Sequence, residues 1–170
     1  MAWFFERIIG MHETIDGKHL KDSFLGEELD DRDISALQSV MTIKTVSKGE
    51  FLAEEGSTDR HLYLLAEGGL EVLTLQRGEP THIYAMAPGE FAGTRAFIDG
   101  TARSASLKAQ TDSVVYCLEP GPFETLIEPH PRLVYKIMRA IFRITHLNLM
   151  RMNREAQELA NYVYKIGGRY

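Results

Sequence analysis

Between residues 41 and 118 the apolar side chains recur with a period of two, and turn residues break the run at short intervals. Alternation of this kind puts every second side chain on one face of an extended strand. Ile43 and Val46 mark one strand, and Phe51 and Leu52 the next, around the turn Ser47-Lys48-Gly49. A loop at Gly56-Ser57-Thr58-Asp59 leads into Leu62-Tyr63-Leu64-Leu65, which Glu67-Gly68-Gly69 ends. Leu70, Val72, Leu73 and Leu75 form a further strand, closed by Arg77-Gly78-Glu79-Pro80. Ile83, Tyr84 and Met86 follow, closed by Pro88-Gly89, and two more strands are expected at 105–109 and 114–118. Many short strands separated by regular glycine turns predict an antiparallel sandwich or roll.

The flanks follow a helical period instead. Asp30, Asp31 and Asp33 precede Ile34, Leu37 and Val40, which reads as a capped helix over 31–39. A short helix is expected at 120–127. Pro129-His130-Pro131 forbids its continuation, and Pro131 suits the first turn of the next helix. That helix runs to about Tyr164 and stops at Gly167-Gly168. It carries two apolar stripes. Leu133, Ile137, Ala140, Ile144 and Leu147 make one; Val134, Met138, Ile141, Thr145, Leu149, Met152, Ala156, Leu159 and Val163 make the other. One stripe covers a core. The second predicts a partner helix, most simply a second copy of 131–164 about a two-fold axis. The alternative is a single face wrapped by the N-terminal segment.

Residues 1–28 are read as an N-terminal helical extension, 29–128 as the roll and 129–170 as a dimerisation helix. The extension shows one feature, the cluster of Trp3, Phe4, Phe5 and Ile8. Those side chains share a face of a short helix that either packs on the protein or meets a membrane surface.

Composition narrows the function classes. The chain has 170 residues, 44% of them hydrophobic, enough for one ordinary domain with its own core. A net charge of −5 argues against a dedicated nucleic-acid binder, which carries a basic face. Cys117 is the single cysteine, so no intrachain disulfide forms and nothing points to an oxidising compartment. No apolar run approaches the ~20 residues that span a bilayer. A cytoplasmic location is expected. No Gly-x-Ser-x-Gly, Cys-x-x-Cys or His-Glu-x-x-His motif is present, and the six histidines are scattered, so no enzyme is predicted.

The chemistry concentrates between residues 88 and 109, PGEFAGTRAFIDGTARSASLKA. A glycine at Gly93 allows close backbone approach to a ligand. A short helical piece follows, and then a strand expected to open at Arg103-Ser104-Ala105. The first helical turn leaves N–H groups free, and an arginine beside a hydroxyl grips phosphate. The alternative is that Arg103 pairs with a local carboxylate, Glu90 or Asp99.

This stretch resembles the phosphate-binding cassette of the cyclic nucleotide-binding domain family, the type of the catabolite activator protein and the protein kinase A regulatory subunit. Residues 30–152 carry the resemblance. Gly49-Glu50-Phe51-Leu52 with Glu55-Gly56, Leu65-Ala66-Glu67-Gly68, Pro88-Gly89-Glu90-Phe91-Ala92-Gly93 and Arg103-Ser104-Ala105 match the family's segments in order. The resemblance implies an antiparallel β-roll with flanking helices and a long C-terminal helix. It also implies that Gly93, Thr94, Arg95, Ala96, Arg103, Ser104 and Ala105 bind a phosphate-bearing ligand.

Two departures qualify that implication. The family places a glutamate after the cassette glycine to accept from the ribose 2′-hydroxyl, and Thr94 stands there. Arg95 adds a positive charge where the family has an apolar residue. An ordinary cyclic nucleotide is therefore expected to bind weakly, and a different anion, or none, is expected to fit. Asn148 falls where the long helix contacts the base; it either meets a purine edge or serves as a polar register residue in a helix seam. Some relatives bind haem, and His82 and Cys117 are the soft donors for that; packing is the plainer role of both, and no cofactor is expected. Only four residues follow the helix, so no DNA-reading module is expected and output passes to the second copy or an unknown protein partner. The expectation is a stand-alone sensor for a phosphate-bearing small molecule. The competing expectation is a ligand-free interaction module that keeps the fold.

Overall fold

A computed structural model describes residues 14–76 and 78–167. The cluster of Trp3, Phe4, Phe5 and Ile8 lies outside the described residues.

Among the described residues, eight antiparallel strands form two four-stranded sheets. In chain order they are β1 (Met41–Val46), β2 (Phe51–Ala53), β3 (Leu62–Glu67), β4 (Leu70–Gln76), β5 (Glu79–Met86), β6 (Phe91–Ala92), β7 (Ser106–Ala109) and β8 (Ser113–Leu118). One sheet has the order β1-β8-β3-β6 and the other β2-β7-β4-β5. Among the described residues the helices are α1 (Gly17–Lys21), α2 (Asp31–Gln38), α3 (Thr94–Asp99), α4 (Pro120–Glu124) and α5 (Pro131–Gly167). The chain is therefore the expected β-roll followed by a long helix.

The central strands β3 and β8 are buried on both faces, which explains their almost continuous apolar sequence. Tyr63, Leu65, Val115 and Cys117 turn into the space between the sheets, against Leu52, Leu70, Met86 and Leu107. Leu62, Leu64, Tyr116 and Leu118 turn outward into a second core made with Leu20, Leu37, Leu133 and Ile137 of the helices and Leu25 of the turn after α1. Side-chain alternation thus assigns one sheet to two cores.

Capping fixes α2: the Asp30 side chain accepts from the N–H groups of Arg32 and Asp33, and Asp33 accepts in return from the N–H of Asp30. Polar ties hold α5 to the N-terminal segment. Arg143 pairs with Glu27 and Glu28, Arg139 with Glu28, and Lys136 with Asp33 at 2.5 Å.

Three expectations change. The strand after the cassette begins at Ser106 and not at Arg103. The backbone of Arg103 is instead used by the loop before β3: its N–H donates to Ser57 O at 2.9 Å, and its carbonyl accepts from Gly56 N at 2.8 Å. The turn expected at 77–80 is tighter, because Pro80 already lies in β5, an edge strand that tolerates a residue without an N–H. Ile141, assigned to the outer stripe of the long helix, is buried in the helical core together with Ala140. Val134 is partly buried against the same core, whereas Met138, Leu149, Met152, Leu159 and Val163 of that stripe are exposed.

Candidate functional site

Seven of the eight predicted site residues come together. Gly93, Thr94, Arg95, Ala96, Arg103, Ser104 and Ala105 line one cavity of about 150 Å³, with Val72, Ala92, Ala102 and Leu107 completing the wall. Gly93 makes the close approach possible. Its φ of 95° lies in the left-handed region, and a Cβ there would fall 2.0 Å from Arg103 Nη1 and 2.6 Å from the His61 carbonyl. The carbonyl of Gly93 accepts from Phe97 N at 2.9 Å, which starts α3 and sets Thr94 and Arg95 at the cavity.

Arg103 is only 5% exposed, and its partner is neither Glu90 nor Asp99. It is Asp59. Nε and Nη2 donate to Asp59 Oδ2 at 3.1 and 2.7 Å, and Nη2 also donates to the His61 carbonyl at 2.6 Å. The guanidinium lies over the Tyr63 ring, 4.8 Å from its centroid. The Tyr63 hydroxyl donates to Asp59 Oδ2 at 2.7 Å. Asp59 Oδ1 accepts from the His61 backbone N–H at 3.1 Å and faces His61 Nδ1 at 2.5 Å. Burial opposes the charge on Asp59, but the hydrogen bonds from Tyr63, His61 and Arg103 outweigh it and hold the carboxyl well below the usual range. Burial, with the bond to Asp59, raises the Tyr63 hydroxyl.

Two of the three guanidinium nitrogens are thus committed. Nη1 makes no hydrogen bond among the described residues and lies against Gly93, which with Arg103 lines the cavity. Arg95 is exposed, and among the described residues it has no ion-pair partner. No carboxylate lines this cavity. Glu90 turns elsewhere: it accepts from the Tyr84 hydroxyl and, through Oε2, from Ala87 N at 2.8 Å. Its bond and burial raise the Tyr84 hydroxyl.

Asn148 is not in this cavity. It lines a second one of about 390 Å³, between the sheet and α5, with Phe24, Tyr84, Met86, Phe91, Ile144, Leu147 and Arg151. Arg151 lies over the Tyr84 ring at 5.4 Å. Glu90 also lines this second cavity, and Val72 and Ala92 belong to both, so the two adjoin.

Residues 43–130, just over half of the chain, match the family described as Cyclic nucleotide-binding domain. The chain belongs to the cyclic nucleotide-binding domain family. The family fold recurs in solved structures. A cyclic nucleotide-binding domain from Methylobacillus flagellatus KT superposes with a TM-score of 0.75 at 19% identity, over 83% of this chain and 84% of that one. The catabolite activator protein of Thermus thermophilus gives 0.72 at 22% identity, over 81% of this chain and 63% of that one. An uncharacterized NTE family protein of Mycobacterium tuberculosis is 28% identical over 131 residues, 76% of this chain and 21% of that protein. The chain spans between about a twentieth and just over a quarter of the length of the curated relatives it matches.

The partners Asp59, His61 and Tyr63 went unread in the sequence. They alternate along the approach to β3, so all three lean to one side of the chain. Polar groups at alternate positions leading into a mostly apolar, buried strand must find buried partners, and that was the available signal. The two haem candidates lie on different sheets, His82 exposed on β5 and Cys117 buried on β8. Burial pushes the Cys117 thiol up to about 12. No group of three or more potential metal ligands occurs among the described residues. Nor is any described helix long and apolar enough to cross a membrane.

Proposed function

We propose that this chain is a regulatory ligand-binding domain for a phosphate-bearing small molecule. The observation that carries the reading is the pair of adjoining cavities. One is lined by Arg95 and Arg103 and by no carboxylate; the other, roofed by α5, is lined mainly by apolar side chains together with Glu90, Asn148 and Arg151. An anion held at the first would direct its attached organic part into the second. Asn148 would meet that part and not the phosphate. Ser104 and Thr94 would add hydroxyl donors, and Gly93, Ala96 and Ala105 the close walls.

Cyclic AMP is not the ligand we expect. A charged acceptor for the ribose 2′-hydroxyl is worth about 1.5–3 kcal/mol, or about one to two orders of magnitude in affinity, and Thr94 supplies none. Arg95 favours a ligand with a second negative group at that place.

Signalling would run through α5. Its inner stripe roofs the apolar cavity at Ile144 and Leu147, while Met152, Leu159 and Val163 stand exposed further along. Each such side chain gains about 1.5–3 kcal/mol on burial, which favours a second copy of the chain as the partner. The role is regulatory and not catalytic, in a soluble, cytoplasmic setting.

One observation favours a second reading, a ligand-free interaction module: Arg103 is already neutralised by Asp59. A thermal-shift screen with cyclic mononucleotides, cyclic dinucleotides and non-nucleotide phosphate esters separates the two. Stabilisation that vanishes in Arg95→Ala supports the sensor; no stabilisation by any compound supports the module.

A further inference from the structure

Behind Arg103 lies a chain of charged groups that anion binding itself does not use. His61 sits between two carboxylates, with Nδ1 2.5 Å from Asp59 Oδ1 and Nε2 3.0 Å from Glu119 Oε1. Its ring stacks on Tyr63, centroids 5.5 Å apart and planes 13° from parallel, which holds the imidazole in this slot. The same residue meets the guanidinium from the other side, because Arg103 Nη2 donates to the His61 carbonyl at 2.6 Å. His61 therefore touches both members of the Asp59–Arg103 pair.

An imidazole facing two carboxylates satisfies both only as the imidazolium, which carries two N–H donors. The neutral ring donates to one and turns a lone pair on the other. With neutral His61, Asp59 and Arg103 form a closed pair of zero net charge. With protonated His61, the trio carries one positive charge in excess, and the negative charge of Asp59 is divided between two cations. Glu119, 54% exposed, is screened by water and offsets that excess weakly.

We propose, on the reading of the Arg95–Arg103 cavity as an anion site, that His61 is a positioning residue that makes the grip of Arg103 on an anion tighten as the pH falls. Besides Glu119, the groups Tyr63, Cys117, Asp59 and Arg103 surround His61, and the shifts of Tyr63, Cys117 and Asp59 keep their charge state fixed near pH 6.5, where imidazoles titrate. Tyr63 stays protonated because burial and the bond to Asp59 raise it. Cys117, which pairs with Tyr63 from β8, stays a thiol because burial raises it to about 12. Asp59 remains a carboxylate.

Sulfate is the probe, since its charge does not change in this range. Its affinity is read from the amide resonances of residues 93–96 and 103–105 at about pH 5.5 and about pH 8, which bracket imidazole titration. The native chain is compared with His61→Phe, which keeps a ring on Tyr63, and with His61→Gln as a second neutral replacement. We expect sulfate to bind the native chain about fivefold or more tightly at the lower pH, and the ratio to fall to about one in both variants. The His61 ring resonances should also respond to sulfate. Equal affinity at both pH values, or a pH dependence that survives in both variants, overturns the role of His61 and leaves the anion site standing. Absence of any sulfate response in the cavity at either pH overturns the anion site, and this proposal with it.

Discussion

Arg103 and Asp59, 44 residues apart in the chain, meet at a single oxygen: Nε and Nη2 of the arginine lie 3.1 and 2.7 Å from Oδ2 of the aspartate. The contact uses one edge of the guanidinium and leaves the other at Gly93. A residue of the candidate binding site is in this way also part of the fold.

Arg103→Ala should therefore destabilise the chain. It leaves Asp59, whose side chain is 21% exposed, without its cation, a change that costs about 1–3 kcal/mol. Adding Asp59→Asn should recover a large share of the loss, because no charge then remains unpaired. Chemical denaturation of the two single variants and the double variant checks this; additive losses would mean that the pair does not act as a unit.

Asp59 also sets an acid limit. Its carboxyl titrates well below the ordinary range when folded. The unfolded chain then binds more protons in that window, so stability rises with pH there. The contribution is complete above about pH 4, the ordinary aspartate range, and disappears as the pH falls toward the folded value. Melting temperatures measured from about pH 2 to about pH 5 should fall less steeply in Asp59→Asn than in the native chain.

Thr94→Glu should create affinity for cyclic AMP. The added carboxylate stands at the cavity wall, where it can accept from a ribose hydroxyl. A gain of about one to two orders of magnitude over the native chain is expected in calorimetry. Submicromolar binding by the native chain would show that Thr94 is no handicap.

Self-association should depend on the outer part of α5. Sedimentation equilibrium should give a dimer for the native chain and a 19.3 kDa monomer for Met152→Glu with Leu159→Glu. Both positions are exposed, so the fold should survive. Ile141→Glu is unsuitable for this purpose, since Ile141 is buried in the core and the change would unfold the chain.

The roll was legible because its strands alternate and its turns carry glycine, and α5 because its apolar steps of three and four persist over many turns. The helix α1 was not, since Leu20 is its one buried residue and leaves no period to read. Gathering 93–96 with 103–105 was legible from a local motif. Asp59 was not, because its role comes from a tertiary contact that brings the loop before β3 under the cassette. Ile141 was misassigned for a related reason: near Ala140 the helix lies deep enough against the sheet to bury two adjacent positions.

The central claim is that the cavity between Arg95 and Arg103 takes a phosphate-bearing ligand. Calorimetric titration of the native chain and of Arg95→Ala with the compounds that raise the melting temperature tests it most directly. We predict that at least one phosphate-bearing compound binds the native chain in the micromolar range and about tenfold more weakly in Arg95→Ala, the loss of one charge-assisted contact. Binding that is unaffected by Arg95→Ala, or no phosphate-bearing compound that binds below millimolar concentration, would contradict the claim.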